Sequence, residues 1–469
     1  MLLKLESVFS FGLNQMPGNE ENVNAIEVFD NSLVGGKQIR WTVLSAFGDY
    51  LDAGALVAGA VSAVYWEGYF KISIIFIGLI FAMRQFGMWG GSLIAGPLGD
   101  KFGRKAIYMY DLLLYTVGAI IVAISTSTYE MIFAYLVLSV AIGIDVPTSW
   151  SLISEFSPKS RRGALTGFTN IFWYIGPIVI ILIGIGTLGI GLNSFRIIFG
   201  SLAAVAIITW FFRRDIIESP RWAVQNKKFD IVEKDLQDLG YSEKTSKQYP
   251  VKTIKYKWTD MFKYWKGLIL VIPLYILWGI PASTYGSFLP YFIKTYSKTT
   301  IFSSYIGTVL WFIFAIIALL VVYIPLVDKV NRKVLYSISS AIMVVSFALL
   351  IIFPFSVINI VLLSVILFGF GQGVGVWPLA RLWSTELFPT RIRNTAQGFV
   401  WSWNRLIVGI WTILVAFIVK DIGLKGLAII FTLFFLITMV VGGILGPDTH
   451  GKTLEKTVTD FYGGDENAE

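Results

Sequence analysis

Apolar positions in this chain fall in long unbroken runs, without the alternating or three-to-four spacing of half-buried elements. Twelve runs of 18–27 residues stand out: 41–64, 72–98, 107–126, 130–153, 166–190, 195–212, 267–290, 302–325, 335–354, 357–380, 396–419 and 424–445. A helix needs about 20 apolar residues to cross a bilayer, so each run predicts a membrane-spanning helix. The longest polar interruption, 213–266, divides the runs six and six. The pattern predicts an all-α membrane protein with an N-terminal segment at 1–40, six-helix bundles at 41–212 and 267–445, a linker with short helices at 213–266, and a tail at 446–469.

Composition sharpens this picture. Of 469 residues, 55% are hydrophobic and 14% charged, where soluble domains carry roughly 25% charged residues. Mean hydropathy is +0.70, more apolar surface than a soluble interior hides. There is no cysteine, and the single histidine, His450, lies near the C-terminus. Disulfide scaffolds and thiolate sites are excluded, and a histidine-ligated metal or Ser-His-Asp centre in the bilayer is disfavoured. No enzyme activity, metal or cofactor is expected.

The net charge of +8 fits basic loops better than nucleic acid. Leaving out the long linker, the loops and termini on one side hold 16 Lys and Arg, against six on the other. The positive-inside rule then places both termini in the cytoplasm. The expectation is a multi-pass plasma-membrane protein, monomeric and without a cleavable signal.

Two elements repeat. SEFSPKSRRGALTGF at 154–168 and TELFPTRIRNTAQGF at 385–399 are offset by 231, pairing Glu155 with Glu386 and Arg162 with Arg393. GPLGDKFGRK at 96–105 and IPLVDKVNRK at 324–333 are offset by 228, which brings Asp328 and Arg332 into line with Asp100 and Arg104. Near-equal offsets imply a duplicated six-helix unit, the design of alternating-access carriers. Gly103 permits a tight turn in the first copy, and Asn331 replaces it in the second.

The 96–105 loop resembles the signature of the major facilitator superfamily. Within it, Glu155-x-x-Pro158-x-x-x-Arg162-Gly163, Glu218-Ser-Pro-Arg221-Trp222, Glu386-x-x-Pro389-x-x-x-Arg393 and Pro447-Asp-Thr-His-Gly451-Lys-Thr-Leu-Glu455 are similar to the sugar porter group and its metabolite:proton symporter relatives. The resemblance implies the two-bundle major facilitator fold and a carrier for a small solute. It also implies a cytoplasmic gate from Asp100, Gly103, Arg104, Glu155, Arg162, Glu218, Arg221, Asp328, Arg332, Glu386 and Arg393. Some sugar porter features are absent. The helix-7 Gln pair is missing, Tyr135 stands where helix 4 carries Arg, and Arg381 stands where helix 10 carries Trp.

Six ionisable residues lie well inside the apolar runs: Asp49, Asp52, Arg84, Asp145, Arg381 and Arg405. A charge at a helix centre costs about 2.5–3.5 kcal/mol on the insertion scale, so these six must pair or face water. Asp49 and Asp52 share a helix face, and close carboxylates favour holding a proton between them. In the sugar porters the counterpart of Asp52 is the proton site. Asp52, tuned by Asp49, is accordingly the expected proton carrier, with a static pair to Arg84 as the alternative. Gly143-Ile-Asp145-Val-Pro147 resembles an element of the phosphate symporters, in which a basic residue also stands at the position of Arg405.

Guanidinium recognises carboxylate or phosphate through a bidentate fork. The expected substrate-binding set is Arg405, Arg381, Asp145, Arg84, Trp377, Asn404, Tyr285 and Asn170. A structural Arg405–Asp145 pair is the alternative for those two residues. The function expected is proton symport of a small organic anion such as a carboxylate. A sugar:proton symporter or sugar uniporter is the alternative, followed by a non-transporting nutrient sensor. The partners expected are the solute, protons and the lipid bilayer.

Overall fold

The computed structural model describes residues 25–32, 34–72, 74–238 and 257–463. Twelve long helices follow the apolar runs. In the first half these are α1 (Gly36–Phe70), α2 (Ile74–Phe102), α3 (Arg104–Ile124), α4 (Thr128–Phe156), α5 (Arg162–Gly186) and α6 (Ser194–Arg213). The second half holds α7 (Trp265–Tyr296), α8 (Phe302–Leu326), α9 (Arg332–Ile352) and α10 (Ile358–Glu386). A final run from Thr390 is parted at Gly423, where φ of 67° reverses the chain, into α11 (390–422) and α12 (424–445). Among the described residues, ten of the twelve are long and apolar enough to cross a membrane. The other two, α1 and α2, bear Asp49, Asp52 and Arg84. No described residue is in a strand.

Several helices overrun their apolar stretches, because a helix continues past the hydrocarbon wherever its ends find partners. α6 extends to Arg213, which is fully buried, although the hydrophobic pattern places that residue in the linker. The linker contributes the helices Pro220–Gln225 and Phe229–Asp238 and the 3-10 turn Trp258–Tyr264. A short helix, Ala25–Asn31, precedes α1, and another, Leu454–Tyr462, ends the described tail. Residues 1–24, 239–256 and 464–469, which fall in the expected terminal segments and linker, lie outside the described residues.

With an even number of crossings, the described ends of the chain and the α2–α3, α4–α5, α6–α7, α8–α9 and α10–α11 connections share one face, called here the terminal face. α10 shows how irregular backbone serves the interior. Pro378 lacks the N–H that an unbroken helix needs, and a π-turn at Gln372–Val376 absorbs the misfit just before it. Such bulges re-aim side chains in mid-helix, and Gln372 points into the space between the bundles.

On the terminal half, α2 and α11 approach more closely than side chains allow. A Cβ on Gly398 would fall against the Ser92 carbonyl and Gly96, and one on Gly96 would meet the Thr395 Cα at 2.8 Å.

Candidate functional site

The charged loops predicted from the repeats meet at the terminal face and follow the sequence repeat there. In the first half, Arg104 pairs with Asp100 (2.9 Å) and Glu155 (3.2 Å). In the second half, Arg332 pairs with Asp328 (3.2 Å) and Glu386 (2.6 Å). Each acidic residue also reaches across the seam. Glu155 accepts from Arg393 at 2.7 Å, and Glu386 lies 3.8 Å from Arg162.

Asp100 accepts the backbone N–H groups of Asn394 and Thr395 on α11. Asp328 accepts those of Gly163 and Ala164 on α5. The offset of 231 carries Gly163 and Ala164 onto Asn394 and Thr395, so duplication has reproduced the same carboxylate-to-helix contact twice. Carboxylates near a helix start are favoured by its free N–H groups and dipole.

Arg221 ties three further segments together, pairing with Asp30 at 2.7 Å and Glu455 at 2.9 Å while donating to the Glu155 carbonyl. Burial acts against the Glu455 carboxylate, but the Arg221 guanidinium outweighs it and holds the group down at about 2. Glu218 accepts the backbone N–H of Arg104, Lys105 and Ser219. Burial outweighs those bonds and raises its pKa. Gly103 starts α3 with φ of 103°, and a side chain there would collide with Glu218. Both conditions favour glycine.

Above this network, toward the membrane centre, aromatic rings from both bundles interlock. Trp150 of α4 meets Trp401 at 5.1 Å and Trp377 at 5.3 Å, both edge to face. Trp377 stacks on Trp278 at 4.0 Å and lies 5.6 Å from Trp173. The Asp49–Arg381 ion pair (2.8 Å) joins α1 to α10 at this level. Arg381 also donates to Asn170 and sits over the Trp150 ring, whose Nε1 donates to Asp49.

A cavity lies beyond the rings, lined from both bundles. α1 and α2 contribute Ala53, Leu56, Arg84 and Gln85, and α5 contributes Trp173 and Tyr174. α7 and α8 bring Trp278, Ser283, Ser287 and Trp311, α10 brings Gln372, and α11 brings Arg405. Asp52, one residue before Ala53, is 1% exposed. Its Oδ2 has no hydrogen-bond partner, and no described cation lies within ion-pair distance.

Several expected positions need correction. Asp145 belongs to a different cluster, pairing at 3.2 Å with Arg213, which also holds Asp111 at 3.2 Å. The alternative Arg405–Asp145 pair therefore does not form, nor does a static Asp52–Arg84 pair. Arg381 and Asn170 engage Asp49 and each other and do not line the cavity. Trp377 belongs to the ring layer below it. Tyr285 packs among Phe347, Phe368 and Trp311 in the second bundle, and Asn404 lies against Gly279. Of the expected substrate-binding set, Arg84 and Arg405 line the cavity.

Sequence reasoning missed Gln85, Ser287, Trp311 and Gln372. Gln85 and Gln372 had a signal, as amides in otherwise apolar helices. Trp311 had none, since a tryptophan in a membrane helix most often faces lipid or neighbouring helices.

The family model for sugar (and other) transporters matches residues 30–461. The chain belongs to that family. Among its relatives, the minor myo-inositol transporter IolF of Bacillus subtilis (strain 168) is 28% identical over 426 residues, covering 90% of this chain and 94% of the relative. The arabinose-proton symporter of the same organism is 26% identical, over 86% of this chain and 90% of its own. The solved proton:xylose symporter XylE, bound to 6-bromo-6-deoxy-D-glucose, superposes with a TM-score of 0.78 at 18% identity, over 90% of this chain and 99% of that one. This likeness shows the major facilitator fold. The chain is thus a multi-pass membrane protein of a sugar transporter family.

Proposed function

We propose that the protein is a proton-coupled symporter for a sugar or polyol, working by alternating access with both termini in the cytoplasm. The observation that carries this reading is the cavity between the bundles. Flat indole faces, the Gln85 and Gln372 amides and the Ser283 and Ser287 hydroxyls converge there, the mixture that holds a hydroxylated ring by its faces and edges. The relatives named for inositol, arabinose and xylose support it. Arg381, one of the three arginines behind the anion expectation, is held by Asp49.

Asp52 suits proton coupling because no described cation holds its charge. Taking up a proton there breaks no ion pair and removes a buried charge. The ion pairs and rings would close the cytoplasmic side in this state and part as the cavity turns inward. The distribution of basic residues supports this orientation.

The test is uptake into proteoliposomes. Radiolabelled myo-inositol, L-arabinose, D-xylose and D-glucose are offered under an imposed pH gradient, acid on the entry side. Accumulation of at least one, abolished by a protonophore, is expected. Accumulation of none, or uptake indifferent to the protonophore, would overturn the reading.

A further inference from the structure

Two permanently charged groups line the cavity without a counter-ion among the described residues. Arg84 and Arg405 are 3% and 4% exposed, and among the described residues neither lies within ion-pair distance of a carboxylate. Arg84 donates to the Leu56 carbonyl (2.8 Å) and more distantly to Ser287 (3.3 Å). Arg405 donates to Gln85 (3.1 Å) and lies 3.9 Å over the Trp401 ring. The Nε of each is buried without a partner.

The other acids of the region are committed. Asp49 holds Arg381, while Asp111 and Asp145 share Arg213. The region's four acids and four arginines balance in number but not in place: Asp52 interacts electrostatically with Arg405 only from beyond ion-pair distance, so among the described residues neither cavity arginine has a direct counter-ion. Buried charges ordinarily come paired. A neutral sugar would supply hydrogen bonds but leave both cavity guanidinium groups without a direct counter-ion.

We propose that the physiological ligand is an acidic sugar, a polyhydroxylated monocarboxylate of the uronate or aldonate class, whose carboxylate is bound by Arg84 and Arg405. The hydroxyls fall to Ser283, Ser287 and Gln372, and the indole walls take the carbon skeleton. This deepens the sugar reading above and rests on it. It also couples the two cargoes, because protonating Asp52 removes the negative charge that acts on Arg405 and leaves the arginine pair to the ligand carboxylate.

The test uses purified full-length protein in detergent and isothermal titration at one fixed pH. D-Glucuronate, D-gluconate, D-glucose, L-lactate and inorganic phosphate are the probes. D-Glucuronate or D-gluconate should bind at least tenfold more tightly than D-glucose. Arg84→Gln and Arg405→Gln should each shrink that ratio toward one, and Arg405→Lys should keep part of it, since charge survives without the fork. The ratio is read within one variant, so loss of folded protein does not mimic the effect.

Binding of D-glucose as tight as that of both acids overturns this proposal and leaves the sugar reading standing. Lactate or phosphate binding as tightly as D-glucuronate overturns both. A ratio unchanged in both Gln variants removes the arginines from ligand binding.

Discussion

Asp52 and Arg381 illustrate opposite fates for a buried charge. Asp52 is buried with no described cation in ion-pair distance, whereas Arg381 is bound to Asp49 across the bundle interface. Asp52→Asn should therefore abolish accumulation driven by a pH gradient while counterflow exchange of a pre-loaded sugar persists. Paired uptake and counterflow assays check this. Arg381→Gln should act on stability instead, because it strands Asp49. Removing one partner of a buried ion pair costs about 3–5 kcal/mol, visible as a lowered melting temperature in detergent. Adding Asp49→Asn should recover part of it.

At this scale legibility followed motif and charge. The ion-pairing residues of the terminal face stood out because they repeat and because charges at membrane helix ends are few. Arg213 was hidden at the edge of an apolar run, where one residue decides between loop and helix, and the true partner of Asp145 went unrecognised with it. Tyr285, Trp377 and Trp311 look alike in sequence. Their division into core, ring layer and cavity wall is set by helix rotation, on which an all-apolar run is silent.

Helices were legible almost to their ends, since an uninterrupted apolar run admits no other element in a bilayer. Their mutual distances were less so. The α2–α11 seam depends on Gly96 and Gly398 lying against backbone of the opposite bundle, which periodicity does not reveal. Gly398→Val should strain this closed seam and favour opening at the terminal face. An overpacked contact costs about 1–3 kcal/mol, so the closed-to-open ratio should fall by roughly five- to 150-fold. Spin labels at Lys101 and Arg391, read by double electron–electron resonance, should show the longer distance becoming dominant.

At the scale of the whole molecule, the terminal face is held by two copies of one device. Because Asp100 and Asp328 each accept backbone N–H groups from a helix of the other bundle, neither copy alone should govern closure. Asp100→Asn and Asp328→Asn should each shift the label distances partially. The double variant should shift them by about the sum of the two free-energy effects, as expected for sites without shared partners. A single variant that opens the face fully would show that one half carries the closure. The repeat made this symmetry legible. Its equal use of backbone acceptance in both halves was not, because a carboxylate bonding to main chain leaves no partner residue to find.

The ring layer has a spectroscopic consequence. Trp278 and Trp377 stack within the second bundle, while Trp150 and Trp173 reach them from the first. Indoles this close couple their electronic transitions, so the protein carries an optical signature of closure without any attached dye. As the bundles part, the coupling between them should vanish while the Trp278–Trp377 pair persists. The near-ultraviolet circular dichroism would lose one component and keep another. Trp150→Phe should erase much of the ligand-sensitive component, allowing each turnover to be followed in unlabelled protein by stopped flow.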